Sequence, residues 1–139
     1  PGMKILQFAF TPDEESAYLP HNHIKNCIVY TGTHDNNTTR GWVDSMSPEE
    51  LRYVQEYLNE WDFWGLHWQI VRTALASVAD TAIIPMQDYL GLGGQARMNF
   101  PGTLGTNWTW RAPQGYLTQA LAERIYQMTR RYDRLGCKH

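Results

Sequence analysis

The sequence predicts an α/β fold built on parallel strands. Three short apolar runs, Lys4–Phe10, Cys27–Tyr30 and Thr81–Pro85, are typical of buried strands. Segments with helical periodicity follow the second and the third of these runs. Buried strands that alternate with helices favour a parallel sheet covered by helices.

The first two strands are predicted from apolar runs bounded by turn residues. Lys4–Phe10 ends shortly before Pro12, and Cys27–Tyr30 is followed by Gly32. Between them, residues 11–25 have little periodicity and are predicted to form a long loop with one helical turn at Asp13–Tyr18.

Two helices are predicted between the second and third strands. Ser47 starts the first as an N-cap, with Pro48 at the first helical position and Glu50 three residues after the cap, and the helix is expected to reach about Asn59. The second is predicted over Gly65–Ala79. Its apolar face consists of Leu66, Ile70, Val71, Ala74, Leu75 and Val78.

The third strand, Thr81–Pro85, precedes a glycine-containing turn and a long irregular stretch. Residues 95–114 have neither a helical nor an alternating pattern. A patternless loop of about twenty residues is uncommon in a compact domain and is more often functional than filler. A last helix is predicted over Thr118–Arg134. Its inward face consists of Leu121, Ile125, Met128, Tyr132 and Leu135.

Length and composition are those of a globular domain. The 139 residues carry a net charge of −2, which argues against nucleic-acid binding because that would need a basic stripe. No apolar run is long enough to predict a membrane helix, so no membrane partner is expected. Cys27 and Cys137 form no recognisable pair, and a buried Cys27 favours a reducing compartment.

Aromatic residues are abundant, with six Trp, eight Tyr and four Phe. Aromatic rings stack on sugars and bases, but they also fill cores, and composition alone favours the core. Trp61, Trp64 and Trp68 are three and four residues apart, which favours packing between helices.

Two motifs that could indicate a cofactor are weak. A zinc site at His21, His23 and His34 would need further ligands and a geometry that the sequence does not indicate, so no metal is expected. The run Gly91–Gly94 matches neither a P-loop nor a dinucleotide-binding loop. It predicts a sharp turn, and no cofactor is expected.

The exits of the three predicted strands are all polar, and sites in parallel α/β folds collect at such exits. The second exit reads YTGTHDNNTTRGWV at residues 30–43 and places His34 beside Asp35. Two interpretations of this pair remain open on spacing alone. It could be functional, or Asp35 or Asn36 could cap a helical turn at Thr38–Trp42 while His34 is hydrogen-bonded locally.

The string YTGTHDNNTTRGW closely resembles the signature of the amylomaltases, the 4-α-glucanotransferases of glycoside hydrolase family 77. Four further stretches are similar to the family: PGMKILQFAF, LPHNH, QDYLGLGGQARMNFPGT and NWTWR. These motifs span nearly the whole chain in the family's order and spacing. Asn37 stands where the family often carries Asp, and we expect little effect from this difference.

The resemblance implies that the fold belongs to a (β/α)8 barrel of the TIM type. The three predicted strands would then be about strands six, seven and eight of that barrel. Residues 1–139 are therefore expected to be the C-terminal portion of a single catalytic barrel. The N-terminal portion is the expected partner, and exposed strand edges predict self-association in its absence.

The resemblance also implies the reaction and its residues. The family transfers α-1,4-glucan segments between maltooligosaccharides with retention, which needs a carboxylate nucleophile and a carboxylic acid/base. In the family those two follow strands four and five, which would lie before Pro1. Asp35 would be the third carboxylate, which accepts hydrogen bonds from ring hydroxyls and stabilises the transition state. His34 would donate to a neighbouring hydroxyl.

Two more candidates for substrate binding come from the resemblance. Asn99 would contact the sugar from the loop after the third strand. Phe10, together with Phe8, would stack on the acceptor glucan, although the barrel core is the alternative for at least one of the two rings. Arg97 is left outside the site because a structural ion pair is the simpler expectation, and Trp108 is expected to anchor the long loop.

The expected function is therefore that of a 4-α-glucanotransferase of starch, glycogen or maltodextrin metabolism, with the 139-residue polypeptide inactive by itself. The alternative from another class is a non-catalytic α-glucan-binding module derived from the same fold. A nuclease or metal hydrolase is a more distant alternative. A cytoplasmic location is expected, or a plastid if the source is a plant or an alga.

Overall fold

The computed structural model describes residues 1–12 and 15–136. Within these residues, three strands form one parallel sheet in the order β1–β2–β3, where β1 is Gly2–Ile5, β2 is Cys27–Tyr30 and β3 is Thr81–Ile83. Gly2 pairs with Cys27, and Val29 pairs with Ala82. The predicted α/β class and the parallel sheet are confirmed.

Five α-helices and four 3₁₀ helices occur in the same part of the chain. The α-helices are α1 (Thr39–Asp44), α2 (Pro48–Leu58), α3 (Leu66–Ala76), α4 (Met86–Tyr89) and α5 (Gln119–Arg131). The 3₁₀ helices are Leu6–Phe8, Pro20–Asn22, Phe63–Gly65 and Gly94–Ala96. None of the described helices is long and apolar enough to span a bilayer.

The first strand is shorter than predicted. The prediction extended it to Phe10, but the chain leaves the sheet after Ile5 and turns through the 3₁₀ helix Leu6–Phe8. Ala9 and Phe10 are nevertheless buried in the main hydrophobic core. An apolar run indicates burial but does not distinguish a strand from a tight helical turn that is equally buried.

The helix start at Ser47 is confirmed. Its hydroxyl accepts a hydrogen bond from the Glu50 amide, and α2 ends at Leu58, followed by the C-cap Asn59 in the left-handed conformation with φ of 52°. The last helix begins at the Thr118 cap as predicted but ends at Arg131 instead of Arg134. Consequently Leu135 is exposed rather than inward.

The helix α3 lies at the centre of the fold. Its residues Leu66 and Ile70 join the main core with Val29 of β2, whereas Val71 and Leu75 form a second cluster with Met128 of α5. The helix ends at Ala76 because Ser77 is extended, so the prediction that Val78 faces inward is wrong. These two clusters fix α3 between the sheet and the last helix.

The tryptophans before α3 are not packed as predicted. Trp61 and Trp64 are 59% and 73% exposed, because they lie in the turn that precedes the first residue of α3. Trp68, which does lie on α3, is partly buried beside the second core cluster. Helical spacing alone therefore placed two of the three indoles incorrectly.

The remaining predictions on the loops have mixed outcomes. The turn predicted at Asp13–Tyr18 lies partly outside the described residues. Cys137 lies outside them. Cys27 is buried, as expected. The irregular stretch predicted over residues 95–114 is confirmed from residue 97 onward, whereas residues 95 and 96 belong to the 3₁₀ helix Gly94–Ala96. Gly91 adopts a positive φ of 65° at the end of α4, as the sharp turn requires.

Candidate functional site

The exits of the three strands meet at one edge of the sheet. The Gln7 amide after β1 donates a 2.8 Å hydrogen bond to the carbonyl of Asn37, which lies after β2. The Asn99 amide, in the loop after β3, donates a 2.8 Å hydrogen bond to Oδ1 of Asp35. The convergence expected from the polar exits is therefore confirmed, because parallel strands end at the same edge.

Asp35, His34 and Asn99 are brought together here, although they come from two loops. His34 Nε2 lies 3.4 Å from the same Asp35 oxygen that Asn99 contacts. The side chains of His34 and Asp35 are 56% and 53% exposed. A carboxylate oriented by a neighbouring amide and open to solvent is suited to accept hydrogen bonds from a polyhydroxylated ligand.

The helix after this loop is not capped by Asp35 or Asn36. Thr38 caps α1 by accepting a hydrogen bond of 3.1 Å from the Gly41 amide. Asn36 instead closes a local turn, since its Oδ1 accepts hydrogen bonds from both the amide and the hydroxyl of Thr33. The interpretation that Asp35 or Asn36 caps this helix is therefore wrong.

Arg97 contributes to the site in a way that sequence reasoning missed. Its guanidinium donates 2.8 Å hydrogen bonds to the carbonyls of Asn99 and Asp35 and lies 3.9 Å from the centroid of the Phe100 ring. The expected ion pair is not found among the described residues. Arg97 therefore joins the backbones that carry the two hydrogen-bonded side chains, and its position two residues before Asn99 was the available signal.

Trp108 also touches the site. Its amide donates to the Met98 carbonyl at 2.6 Å, so it anchors the long loop as expected. In addition, its ring centroid lies 4.9 Å from that of His34, and the indole is 53% exposed. An exposed indole beside an exposed imidazole extends the polar site with an aromatic face, the kind of surface on which sugar rings stack.

A cleft of about 110 Å³ opens beside the loop that follows β2. Its walls include His34, Asn37, Pro85, Arg97 and Met98. The side-chain oxygen of Asn37 is buried there without a hydrogen-bond partner among the described residues. That oxygen is enclosed close to Gly41 and Gly94, so the cleft adjoins the candidate site chiefly through His34 and Arg97.

Asp88 is a buried carboxylate behind the same loop, and its role was not predicted from sequence. It is 1% exposed and accepts hydrogen bonds from the Thr31 hydroxyl at 2.5 Å and the Thr39 amide at 2.8 Å. Burial raises the pKa of Asp88, and the hydrogen bonds from the two threonines oppose that rise.

Phe10 lies away from the site. It is 4% exposed, and its ring centroid is 5.3 Å from that of Tyr57 and 6.0 Å from that of Trp42. The prediction that Phe10 stacks on a glucan is therefore wrong, because its faces are occupied by core residues. Phe8, the other candidate ring, is 50% exposed.

The three histidines considered for metal binding have separate partners. His21 Nδ1 lies 2.7 Å from the Tyr57 hydroxyl, and His23 is hydrogen-bonded to the Ser77 hydroxyl and the Tyr18 carbonyl. Across residues 1–12 and 15–136, no group of three or more His, Cys, Asp or Glu side chains could hold a metal ion.

Comparison with known proteins identifies the family. The family model described as 4-alpha-glucanotransferase, of glycoside hydrolase family 77, matches residues 1–118. The chain therefore belongs to the 4-alpha-glucanotransferase family.

Individual relatives agree with the family match. The 4-alpha-glucanotransferase of Clostridium butyricum is 50% identical over 135 residues, which cover 96% of this chain and 28% of that protein. The chloroplastic/amyloplastic 4-alpha-glucanotransferase of Solanum tuberosum is 52% identical over 113 residues, covering 81% of this chain and 20% of that protein. The chain thus spans less than a third of the length of these relatives.

A solved structure is similar over the same extent. The amylomaltase from Streptococcus agalactiae in complex with acarbose is 36% identical, with a TM-score of 0.91 over 96% of this chain and 27% of that one. The arrangement of strands and helices described above is therefore that of an amylomaltase segment.

Proposed function

We propose that this chain is the part of a 4-α-glucanotransferase barrel, about strands six to eight with their helices, that carries the transition-state-stabilising Asp35. The proposal is supported by the family match and by the strand order β1–β2–β3, which is the consecutive parallel order of neighbouring barrel strands. The complete enzyme, meaning these residues within a chain of the relatives' length, transfers α-1,4-glucan segments between maltooligosaccharides with retention.

The observation that carries the proposal is the hydrogen bond between Asn99 and Asp35. It occupies Oδ1 of the carboxylate, while Oδ2 forms no hydrogen bond with any described residue. Oδ2 is the atom that accepts from a hydroxyl of the reacting sugar. Such hydrogen bonds strengthen as the ring flattens and positive charge develops, so they lower the barrier more than they tighten ground-state binding.

His34 and the loop after β3 complete the sugar contacts of the proposed site. The imidazole of His34, held between Asp35 and the Trp108 ring, donates its N–H to a hydroxyl next to the one that Asp35 accepts from. Asn99 contacts the sugar from the opposite loop. Arg97 keeps the two loops at a fixed separation through its two carbonyl contacts.

The nucleophile and the acid/base come, by family resemblance, from strands four and five, which precede residue 1 in this mapping. The 139-residue polypeptide is therefore inactive by itself, and its partner is the N-terminal portion of the same barrel. Purified polypeptide incubated with maltotriose should yield no glucose or longer maltooligosaccharides, whereas the complete enzyme should yield both. Transfer by the polypeptide alone would contradict the proposal that the nucleophile and the acid/base lie outside residues 1–139.

A non-catalytic glucan-binding module is the competing function. It predicts that the complete protein binds maltoheptaose but leaves maltotriose unchanged. A mass measurement in solution belongs to the same experiment, because β1 and β3 each leave one edge unpaired within the described residues and such edges promote association.

The proposed location is the cytoplasm, or a plastid for a plant or algal source; the Solanum tuberosum relative is named as chloroplastic/amyloplastic.

A further inference from the structure

One buried carboxylate holds both ends of the loop that carries His34 and Asp35. Thr31 is the first residue after β2, and Thr39 is the first residue of α1. The Thr31 hydroxyl donates to Oδ2 of Asp88, and the Thr39 amide donates to Oδ1. The seven residues between these two threonines are therefore anchored at both ends by a single side chain.

The residue before Asp88 anchors the opposite side of the site. The Gln87 amide, which is also buried, donates a 3.2 Å hydrogen bond to the carbonyl of Ala96. Ala96 immediately precedes the segment in which Arg97 and Asn99 contact Asp35. Two consecutive residues of α4 thus hold the two loops whose side chains meet in the Asn99–Asp35 hydrogen bond.

Packing does not account for a carboxylate at position 88. An apolar side chain of similar size would fill the same space without the penalty of burying a charge, and buried ion or polar groups are often neutral or costly for stability. The cost is offset only through the hydrogen bonds that the carboxylate accepts. Both of those bonds end on the loop of the candidate site.

We propose that Asp88 is a positioning residue for glucan transfer, which fixes the loop between Thr31 and Thr39 so that Asp35 faces the reacting sugar. This inference rests on the proposed function. Asp88 borders the cleft but is only 1% exposed, and both of its carboxylate oxygens accept hydrogen bonds from the loop, so it is assigned no contact with substrate. It acts through the backbone of the loop, and a displacement of a reacting group by about 1 Å costs on the order of 100-fold in rate.

The test compares Asp88→Asn with Asp80→Asn in the complete enzyme. Asp80 immediately precedes β3, and its side chain is 52% exposed and pairs with the exposed Lys25 at 2.9 Å, so its replacement controls for the loss of one carboxylate away from the site. Asp88→Asn should lower kcat for maltotriose by about 100-fold with less than about a threefold change in KM. Asp80→Asn should retain the parent values. A parent-like kcat for Asp88→Asn would overturn the proposal.

A second measurement separates this inference from the proposed function. Hydrogen exchange of the peptide covering residues 31–39 should speed up in Asp88→Asn and not in Asp80→Asn, with α3 as the internal reference. Unchanged exchange in Asp88→Asn would overturn the proposal that Asp88 fixes this loop, whatever the activity. A complete protein that transfers no glucan, yet shows the faster exchange, would instead overturn the proposed function.

The pair Thr31→Ser and Thr31→Val covers the case in which Asp88→Asn does not fold. Serine keeps the hydroxyl that donates to Asp88, whereas valine keeps the shape and removes the donor. The serine variant should retain most of the parent kcat, and the valine variant should lose about tenfold or more, measured per folded molecule. Equal kcat values for the two variants would overturn the proposal.

Discussion

Asn99 Nδ2 donates a 2.8 Å hydrogen bond to Asp35 Oδ1 across 64 positions of sequence. The bond joins the loop after β2 to the loop after β3. It also distinguishes the two oxygens of the carboxylate, since Oδ1 accepts a hydrogen bond from Asn99 and Oδ2 accepts none from the described residues. Much of what the proposed function predicts depends on this distinction.

Replacement of Asp35 by Asn in the complete enzyme should mainly lower kcat. The amide keeps the shape of the carboxylate but removes the negative charge that stabilises the developing positive charge of the sugar ring. A loss of about 100- to 1,000-fold in kcat is expected, with KM changed by less than about threefold. Maltotriose disproportionation measures both constants, and Asp80→Asn serves as the control. An unchanged kcat would contradict the role assigned to Asp35.

Replacement of Asn99 should lower kcat by an amount that depends on the charge of the new side chain. Asn99→Ala removes one hydrogen bond to a charged group and should lower kcat by about tenfold. Asn99→Asp places a second carboxylate against Asp35 at the position of the donor, so the two negative charges repel each other. Its kcat at pH 7 should be lower than that of Asn99→Ala. Equal activities would mean that the bond does not orient Asp35.

The stability of the protein should decrease as the pH falls from about 6.5 to about 4, partly because of His67. Burial, helped by the nearby Arg40 guanidinium, lowers the pKa of His67 from 6.5 to about 4. The unfolded chain therefore binds a proton in this range that the folded protein does not, which favours unfolding. The effect is below about 1.4 kcal/mol per pH unit, since the ring is partly exposed and solvent screens it.

The variant His67→Gln tests this linkage. Glutamine does not titrate, and its amide oxygen can accept the contact that Arg40 makes with Nδ1 of the imidazole at 3.2 Å. The decrease in melting temperature between pH 7 and pH 5 should be smaller in the variant than in the parent. Parallel curves for the two proteins would show that His67 contributes nothing to the pH dependence.

Two glycines allow backbone strain to be separated from steric overlap. Gly91 and Gly102 both have positive φ, 65° and 75°, but a Cβ on Gly91 would lie 2.8 Å from Nε2 of His67, whereas nothing lies within 4 Å of a Cβ on Gly102. Gly91→Ala should therefore lower the free energy of unfolding by about 1–2 kcal/mol more than Gly102→Ala does. Urea denaturation measures both losses, and losses of equal size would argue against the overlap.

The sequence predicted those elements whose signals are local. Cys27–Tyr30 is an apolar run that ends at a turn, and Ser47 with Pro48 and Glu50 is a complete helix start; both were confirmed. The extension of β1 to Phe10 was wrong because burial of Ala9 and Phe10 arises from core packing after the strand has ended. Local patterns report which residues are buried but not the backbone geometry that buries them.

The candidate site was predictable only in its chemistry. His34, Asp35 and Asn99 were named from the resemblance of their surrounding motifs, and the structure brings the three together. The contacts that hold them, made by Asp88 and Arg97, depend on pairs separated by 49 to 62 residues. No single-sequence pattern encodes pairings of that kind, since they follow from how the strands align.

The distance in sequence between Asp88 and its two donors has a consequence for synthesis on the ribosome. Thr31 and Thr39 are translated 57 and 49 residues before Asp88. β1 and β2 can pair as soon as both have emerged, but the loop beyond β2 has no buried acceptor for its ends until the third strand and α4 follow. The strand that leads to the candidate site is thus synthesised before the residue that anchors the loop of that site.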